Sequence, residues 1–366
     1  MFEIEAKDGK TEARAGVLQT ENYRVKTPAF MPVATKGSVK TLSNHELAGA
    51  GVEALISNAL LLYLKPGIDV ISGAGGLHRF MKWKRAIFTD NGGFQAIREE
   101  FSPVFSKKGI TFSSPFDSSR HLITPEKIIG IQEVLGSDVA LALDDCPSYG
   151  TGYNRAEDSV KRTTEWAKRS LEVKSREGQL LFCIAQGGVF PELRIRSAAE
   201  LAEFNFDGYA IGGLSIGEPK KVMIEMIKIS IKAIPQEKPR YLMGVGSPIE
   251  VLDAIAMGVD IFDSAFPTRN ARHNAVYTEK GKYNIAKAKN LMLFEPLEEG
   301  CNCYACRHYT RAYISHLMRV YEALGMRLVT LHNIHFTERL MRNAREAIVA
   351  GEFEEFREMF KNSFLS

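Results

Sequence analysis

The chain has 366 residues, of which 45% are hydrophobic, 25% charged and 10% aromatic; 47 basic against 44 acidic residues leave a formal net charge of +3. This composition excludes the disordered and fibrous classes, and the near balance of charge assigns no partner by itself, because a nucleic acid requires positive charge gathered on one face. A (β/α)8 barrel needs roughly 250 residues, so one barrel with a small appendage fits the length.

The amino terminus reads Met1-Phe2-Glu3-Ile4-Glu5, without the basic and apolar regions of a signal peptide. The most apolar early stretch, Ala54 to Leu64, is interrupted by Ser57, Asn58 and Tyr63 and is too short to span a bilayer. A soluble, cytoplasmic protein with no membrane attachment is expected. From residue 29 onward, short apolar runs alternate with longer amphipathic stretches, the pattern of βα units around a parallel sheet. The expected strands are Ala29–Val33, Ala54–Ser57, Ala86–Thr89, Val139–Leu143, Leu180–Ile184, Gly208–Ile211, Arg240–Met243 and Ile261–Phe262, a number that suits a closed TIM barrel.

Helical patterns lie between them, at Ala156–Glu177, Pro191–Phe204, Pro219–Ile234 and Ile249–Met257. Ser247-Pro248-Ile249-Glu250 offers an N-cap serine, a first-turn proline and a capping glutamate; Thr124-Pro125-Glu126 opens another helix. Glu100 to His121 alternates with Gly and Ser breaks and reads as an inserted β-hairpin over the barrel mouth. Gly73-Ala74-Gly75-Gly76 completes no phosphate-binding fingerprint and reads as a turn. The expected division is residues 1–264 for the main part of the barrel and its active site. Residues 265–366, which hold three closely spaced cysteines, then form an appended subdomain with C-terminal helices that complete the barrel. Helical runs are expected there over Thr310–Glu322 and Asn333–Ala350, with a tail helix at Phe353–Phe360.

The apolar runs end in polar groups. Thr89 is followed by Asp90-Asn91-Gly92-Gly93-Phe94-Gln95, Leu143 by Asp144-Asp145-Cys146, and Ala185 by Gln186-Gly187-Gly188. Ile211 is followed by Gly212-Gly213-Leu214, Met243 by Gly244-Val245-Gly246, and Phe262 by Asp263. In a barrel the carboxyl ends of the strands meet at one face. A single Asp there is ordinarily a turn or cap residue, but six such ends together point to a shared site. Glycine N–H groups can approach a planar ligand, and a carboxylate facing two N–H groups suits the N1–H and 2-amino edge of guanine. Carboxylates split between nucleophile and acid/base suit cleavage at an anomeric carbon.

Five cysteines are present, three of them at 301, 303 and 306, while Cys146 and Cys183 stand apart. An odd number with one tight cluster argues for a metal site over a disulfide framework. Cys301, Cys303, Cys306 and a later His332 would fill all four positions of a tetrahedral, structural zinc, one per chain. His308, His316 and His335 are rival histidines, the last two read as lying on helix faces. Cys183 reads as core.

The chain resembles the queuine-type tRNA-guanine transglycosylases of bacteria over nearly its whole length. The segments that carry this are Thr89 to Gln95, Gln186-Gly187-Gly188, Gly208 to Leu214, Tyr241 to Gly246, Phe262-Asp263 with Phe266-Pro267-Thr268-Arg269, and the zinc cluster with His332-Asn333-Ile334. The resemblance implies that Asp263 is the nucleophile on the ribose and Asp90 the general acid/base. It implies that Asp144 and Gln186 read the purine edge beside Gly213 and Leu214, with Phe94 and Met243 sandwiching the base. It implies anticodon-loop contacts at Lys40, Arg269 and Arg272, a tRNA partner, a 7-deazaguanine as incoming base and a homodimer. Cys146 and Ile216 match members that use 7-aminomethyl-7-deazaguanine.

The chain departs from the family at Asn91 (usually Ser), at Ala59-Leu60-Leu61 (usually Thr-Tyr-His) and at Asp145 (usually Glu). These positions leave the incoming base open. A paralogue that uses queuine, or acts on DNA or another tRNA position, stands as an alternative. A non-catalytic partner subunit is a further one, against which the retained Asp90, Asp144 and Asp263 count.

Overall fold

The alternation of apolar and amphipathic stretches folds as a ring of parallel strands sheathed in helices. The structure, a computed structural model, describes residues 1–92 and 102–365. Three strands precede the ring: β1 (Phe2–Lys7), β2 (Arg14–Gln19) and β3 (Arg24–Thr27), an antiparallel sheet in that order. The ring is built from β4 (Ala29–Pro32), β5 (Ala54–Asn58) and β6 (Ala86–Asp90). After an insert of β7 (Val104–Phe105), β8 (Ile110–Ser113) and β9 (Arg120–Ile123), it continues with β10 (Val139–Leu141) and β11 (Leu180–Ala185). It is completed by β12 (Gly208–Ile211), β13 (Arg240–Leu242) and β14 (Ile261–Ser264). The strand order is β4-β14-β13-β12-β11-β10-β6-β5, and every pairing is parallel. The two ends of that order meet through a Val33–Ile56 bridge, with Ala34 N–H on Ile56 O at 2.7 Å and Asn58 N–H on Thr35 O at 3.2 Å. The sheet is therefore a closed eight-stranded TIM barrel.

Period-two alternation divides the barrel's core. Along β11, Phe182 and Ile184 point inward with Phe88, Leu141 and Tyr241, while Leu181, Cys183 and Ala185 face the surrounding helices. Cys183 is indeed core. The Phe88 ring meets Phe182 edge-on at 5.9 Å and Tyr241 at 6.3 Å. Gly208 leaves room for Phe182, whose ring an added Cβ would meet at 2.4 Å.

Leu18 and Val25 of the amino-terminal sheet join the inward cluster and close the end of the barrel where the strands begin. Arg14 fastens this plug through Asp260 just before β14, Nε to Oδ1 at 2.8 Å and Nη2 to Oδ2 at 2.6 Å, with both side chains buried. That sheet was not among the expected strands, although the alternation of Phe2, Ile4 and Ala6 carries its signal.

The insert is the expected hairpin with a third strand added. Its apolar residues Ile110, Phe112 and Ile123 share a buried cluster with Ile128, Ile131 and Trp166 of the helices Pro125–Leu135 and Tyr153–Val173. Trp166 Nε1 donates to Lys107 O at 3.1 Å, so the insert is moored along the helical wall.

Beyond β14, a hairpin of β15 (Ala275–Thr278) and β16 (Gly281–Asn284), a 3-10 turn and the helices Tyr304–His308 and Arg311–Arg319 lead into one 28-residue helix, Ala323–Ala350. The expected start of that helix, Asn333, is ten residues late. Gly325 reads as a helix weakener, yet it lets the helix pass close to Arg311–Arg319, since an added Cβ would lie 2.8 Å from Leu317 Cβ. Phe336, Leu340, Ala344 and Ile348 form a stripe at helical spacing that packs on the barrel wall. Among the described residues, no helix is long and apolar enough to cross a membrane.

Candidate active site and metal centre

Every parallel strand of the ring delivers its carboxyl end to the same face, and the polar residues noted in the sequence stand there. Asp90 ends β6 and Asp263 lies in β14. Asp90 Oδ1 accepts the Asn58 amide at 2.6 Å and Gly92 N–H at 2.9 Å. Asp263 Oδ1 accepts the Tyr241 hydroxyl at 2.6 Å and Gly244 N–H at 2.9 Å. Burial lifts the Asp90 carboxyl well above the ordinary carboxylate range, the Asp263 charge lifts it further, and the Gly92 N–H only partly opposes. Asp263 is raised by burial too, with the Tyr241 hydroxyl and Gly244 N–H working against it. The two carboxylates thus share one electrostatic environment while differing in how strongly the neutral form is favoured.

Asp144, just past β10, is held from both sides. Asn91 Nδ2 donates to Oδ1 at 3.0 Å and Gln186 Nε2 to Oδ2 at 2.6 Å. Burial raises its pKa to about 6 against the pull of the two amides. Gln186 Oε1 is buried and takes no partner among the described residues. The glycines Gly212 and Gly213 lie against this amide so closely that an added Cβ would sit 2.7 Å from Nε2 and 2.4 Å from Oε1 respectively.

Asp145 turns away toward the helix Tyr153–Val173, where Arg155 grips both oxygens at 2.8 and 2.6 Å and Arg162 Nε adds a bond at 2.9 Å. Cys146 is buried, and burial pushes its thiol up. Leu214 is buried, while Met243 and Ile216 are half-buried. Ile216 and Gly213 border a small pocket with Tyr149 and Phe190. Phe94 lies outside the described residues.

Lys40 and Arg269 are exposed and Arg272 is half-buried, its Nε on Thr268 O at 3.1 Å. Both arginines lie on the helix Phe266–Arg272 directly after β14, and Lys40 lies in the loop after β4, the strand that pairs with β14. All three therefore lie in segments that leave the carboxyl ends of β4 and β14. Lys282, Lys287 and Lys289 are exposed.

Several supporting residues escaped the sequence reading of roles. Asn58 and Asn91 anchor carboxylates, and Tyr241 anchors Asp263. Arg194, wholly buried, donates to backbone carbonyls on both glycine loops. Its signal was an arginine on the apolar face of Pro191–Ala202, in register with Ser197, Ala198 and Leu201.

Far along the chain, Cys301, Cys303, Cys306 and His332 converge. Their ligand atoms all lie within 4.8 Å of one another, a group that could hold a metal ion. His332 Nδ1 is 3.8 Å from Cys301 Sγ, 3.5 Å from Cys303 Sγ and 3.4 Å from Cys306 Sγ. Its Nε2 donates to Tyr277 O at 2.7 Å, which places the proton there and leaves the Nδ1 lone pair for a metal. The Cys306 N–H on Cys303 Sγ at 3.4 Å closes the knuckle. His335, one turn on, lies on a face of the helix Ala323–Ala350 as expected, buried on the same side as His332, and among the described cysteines its ring reaches Cys301, at 3.9 Å.

Comparison with known proteins adds independent findings. The family model described as queuine tRNA-ribosyltransferase matches residues 8–366. A queuine tRNA-ribosyltransferase of Desulforamulus reducens is 46% identical over 363 residues, covering 99% of this chain and 98% of the relative. One from Fusobacterium nucleatum is 46% identical over 362 residues, with 98% and 96% covered. One from Symbiobacterium thermophilum is 44% identical over 360 residues, with 98% and 90% covered.

Proposed function

This chain belongs to the queuine tRNA-ribosyltransferase family, a family of pentosyltransferases, and from that premise we propose that it exchanges the guanine at the wobble position of GUN-anticodon tRNAs for 7-aminomethyl-7-deazaguanine in queuosine biosynthesis. The observation that carries the reading is the pair of half-buried carboxylates on one rim, each anchored through a single oxygen. With Oδ1 of Asp263 fixed by Tyr241 and Gly244, Oδ2 attacks the ribose anomeric carbon. The bond from that carbon to guanine breaks with its electron pair on the base, which takes a proton from Asp90. The incoming base then gives its proton to Asp90, attacks the same carbon and releases Asp263. A carboxyl pushed well toward its neutral form beside one raised less, and held by the Tyr241 hydroxyl and Gly244 N–H, suits this division of labour.

Asp144 and Gln186 take the purine edge, Gly213 and Leu214 offer backbone groups, and Phe94 and Met243 flank the ring. Cys146 and Ile216 border the 7-substituent. The direct test is mass spectrometry of the bases exchanged when the purified protein meets total tRNA and labelled 7-deazaguanines. Incorporation of 7-aminomethyl-7-deazaguanine at the wobble position is expected; incorporation elsewhere, or of queuine alone, overturns the assignment.

Asp144 must be ionised to accept two N–H groups from a base. Its pKa of about 6 means that affinity for the free base should be full above that value and fall roughly tenfold per pH unit below it, where the carboxyl is protonated. Base titrations between pH 5 and pH 8 check this, and an Asp144→Asn variant should lose the dependence.

Lys40, Arg269 and Arg272 form the rim that meets the anticodon loop, with Lys282, Lys287 and Lys289 extending it. Affinity for tRNA should fall steeply with salt, and each single neutralisation at Lys40, Arg269 or Arg272 should reduce the log–log slope by about one. Binding isotherms across salt concentrations read this out, and an unchanged slope in all three variants removes the rim from the interface.

The metal is Zn2+, structural and one per chain. Tetrahedral zinc with bonds of about 2.3 Å to sulfur and 2.0–2.1 Å to nitrogen sets the two ligand atoms about 3.5 Å apart, which the spacings of 3.4 to 3.8 Å around His332 match. With four protein ligands no position is left for water, so the ion supplies a cross-link between chain segments. Residues 265–366 form the subdomain it organises, and the working unit is a homodimer in the cytoplasm.

A further inference from the structure

Arg194 lies on the buried face of the helix Pro191–Ala202, which follows β11. Its guanidinium answers carbonyl groups: Nε donates to Gly188 O at 2.7 Å, Nη1 to Gly212 O at 2.7 Å and to Ala185 O at 3.3 Å, and Nη2 to Gly213 O at 3.2 Å. Burying a guanidinium away from water is costly. Burial here is strong enough to lower the group's pKa to about 10. A fold that keeps such a group without a carboxylate grip uses its planar fork, since five donors in fixed directions can hold several carbonyls at set angles where a lysine could not.

We propose that Arg194 is a positioning residue that sets which way the peptide groups of residues 212–214 face, and so gives the base pocket its preference for a purine bearing oxygen at position 6 over one bearing an amino group there. The inference rests on the reading of this pocket as the base site. In a trans peptide, C=O and N–H point in opposite directions. Because Gly212 O and Gly213 O are both drawn to the guanidinium, the N–H groups of Gly213 and Leu214 turn away from it. Neither has a partner among the described residues. Two adjacent glycines, the second at φ +67°, give the backbone little intrinsic preference for this orientation. The Gln186 amide packs against the same glycines. Backbone donors in fixed directions suit an acceptor oxygen, whereas an amino group would leave buried donors facing a donor, the mismatch that polar sites reject most strongly.

The test uses the metal-loaded full chain. Exchange of labelled guanine into tRNA by the wild type comes first; its absence would refute the base-site reading rather than the role of Arg194. Guanine and 2,6-diaminopurine are then compared as competitive inhibitors of that exchange, in the wild type and in Arg194→Ala and Arg194→Lys. The expected result is a rise of about tenfold or more in KM and inhibition constant for guanine, a smaller change in kcat, and a reduced preference for guanine over 2,6-diaminopurine. Guanidinium ion added to Arg194→Ala should restore the preference. If Arg194→Ala does not fold, Arg194→Lys, which keeps the charge but not the fork, decides the matter. A folded variant with unchanged preference, or one that loses kcat while its preference stays intact, overturns the proposal.

Discussion

Asp263→Asn is expected to abolish exchange, by about four orders of magnitude or more, the scale on which a covalent nucleophile is missed. The amide matches the carboxylate in shape and keeps an oxygen for the Tyr241 hydroxyl and Gly244 N–H, so the site should stay assembled. What disappears is the anion that, in the proposed reaction, attacks the anomeric carbon. Proximity and a developing positive charge on the sugar make a half-buried carboxylate effective there, and neither helps a neutral amide. A denaturant-resistant protein–tRNA adduct, expected with the wild type as a slow band in denaturing gels, should be absent from this variant. Asp90→Ala should behave differently. Under the proposed roles it keeps the nucleophile and the tRNA rim but loses the group that carries the proton, so tRNA affinity should be retained while exchange falls about 10²- to 10⁴-fold. Peptide mapping of the trapped adduct separates the roles: ribose on Asp90 with Asp263 unmodified would reverse the two assignments.

Cys303→Ala should release the metal and cost about 4 kcal/mol or more of stability, since loss of a structural ion ranks with the largest single-residue effects. The sulfur sits 3.5 Å from His332 Nδ1 and also accepts the Cys306 N–H. Its removal leaves two thiolates and an imidazole in a cluster whose remaining core is small, drawn from residues such as Val276, Ile285, Ile314 and Leu328. Elemental analysis alongside thermal melting checks the result. Cys183→Ala is the matched control: it trims the barrel wall, lowers the melting temperature modestly and leaves the metal in place. Stoichiometric metal in the Cys303 variant would move the ion to other ligands.

The barrel was legible in the sequence because each buried strand is a short apolar run that stops abruptly at Asp, Gln or Gly. Asp90, Asp144, Gln186 and Asp263 could be picked out by that position alone, and they do stand on one face. Who anchors whom was not legible. Asn58 reaches Asp90 only because β5 pairs with β6 in a register that sets the two residues side by side. Asp144 depends in the same way on Asn91 and Gln186, which come from two other strand ends. The part played by Arg194 was not legible because its partners are backbone carbonyls, which leave no trace in residue identity. The early start of Ala323–Ala350 was hidden by Gly325, whose use is a close helix crossing and not a break.

The plug at the foot of the barrel has a kinetic consequence. Leu18, Val25 and the Arg14–Asp260 clasp stop up one end, so among the described residues the pocket is a cul-de-sac open at the opposite face, where the proposed function puts the RNA. Under the proposed function, the released guanine and its replacement pass the same threshold in opposite directions, and the first must clear it before the second can enter. Turnover then follows an ordered queue with the RNA tethered throughout, and high concentrations of free guanine should slow the enzyme by holding the doorway.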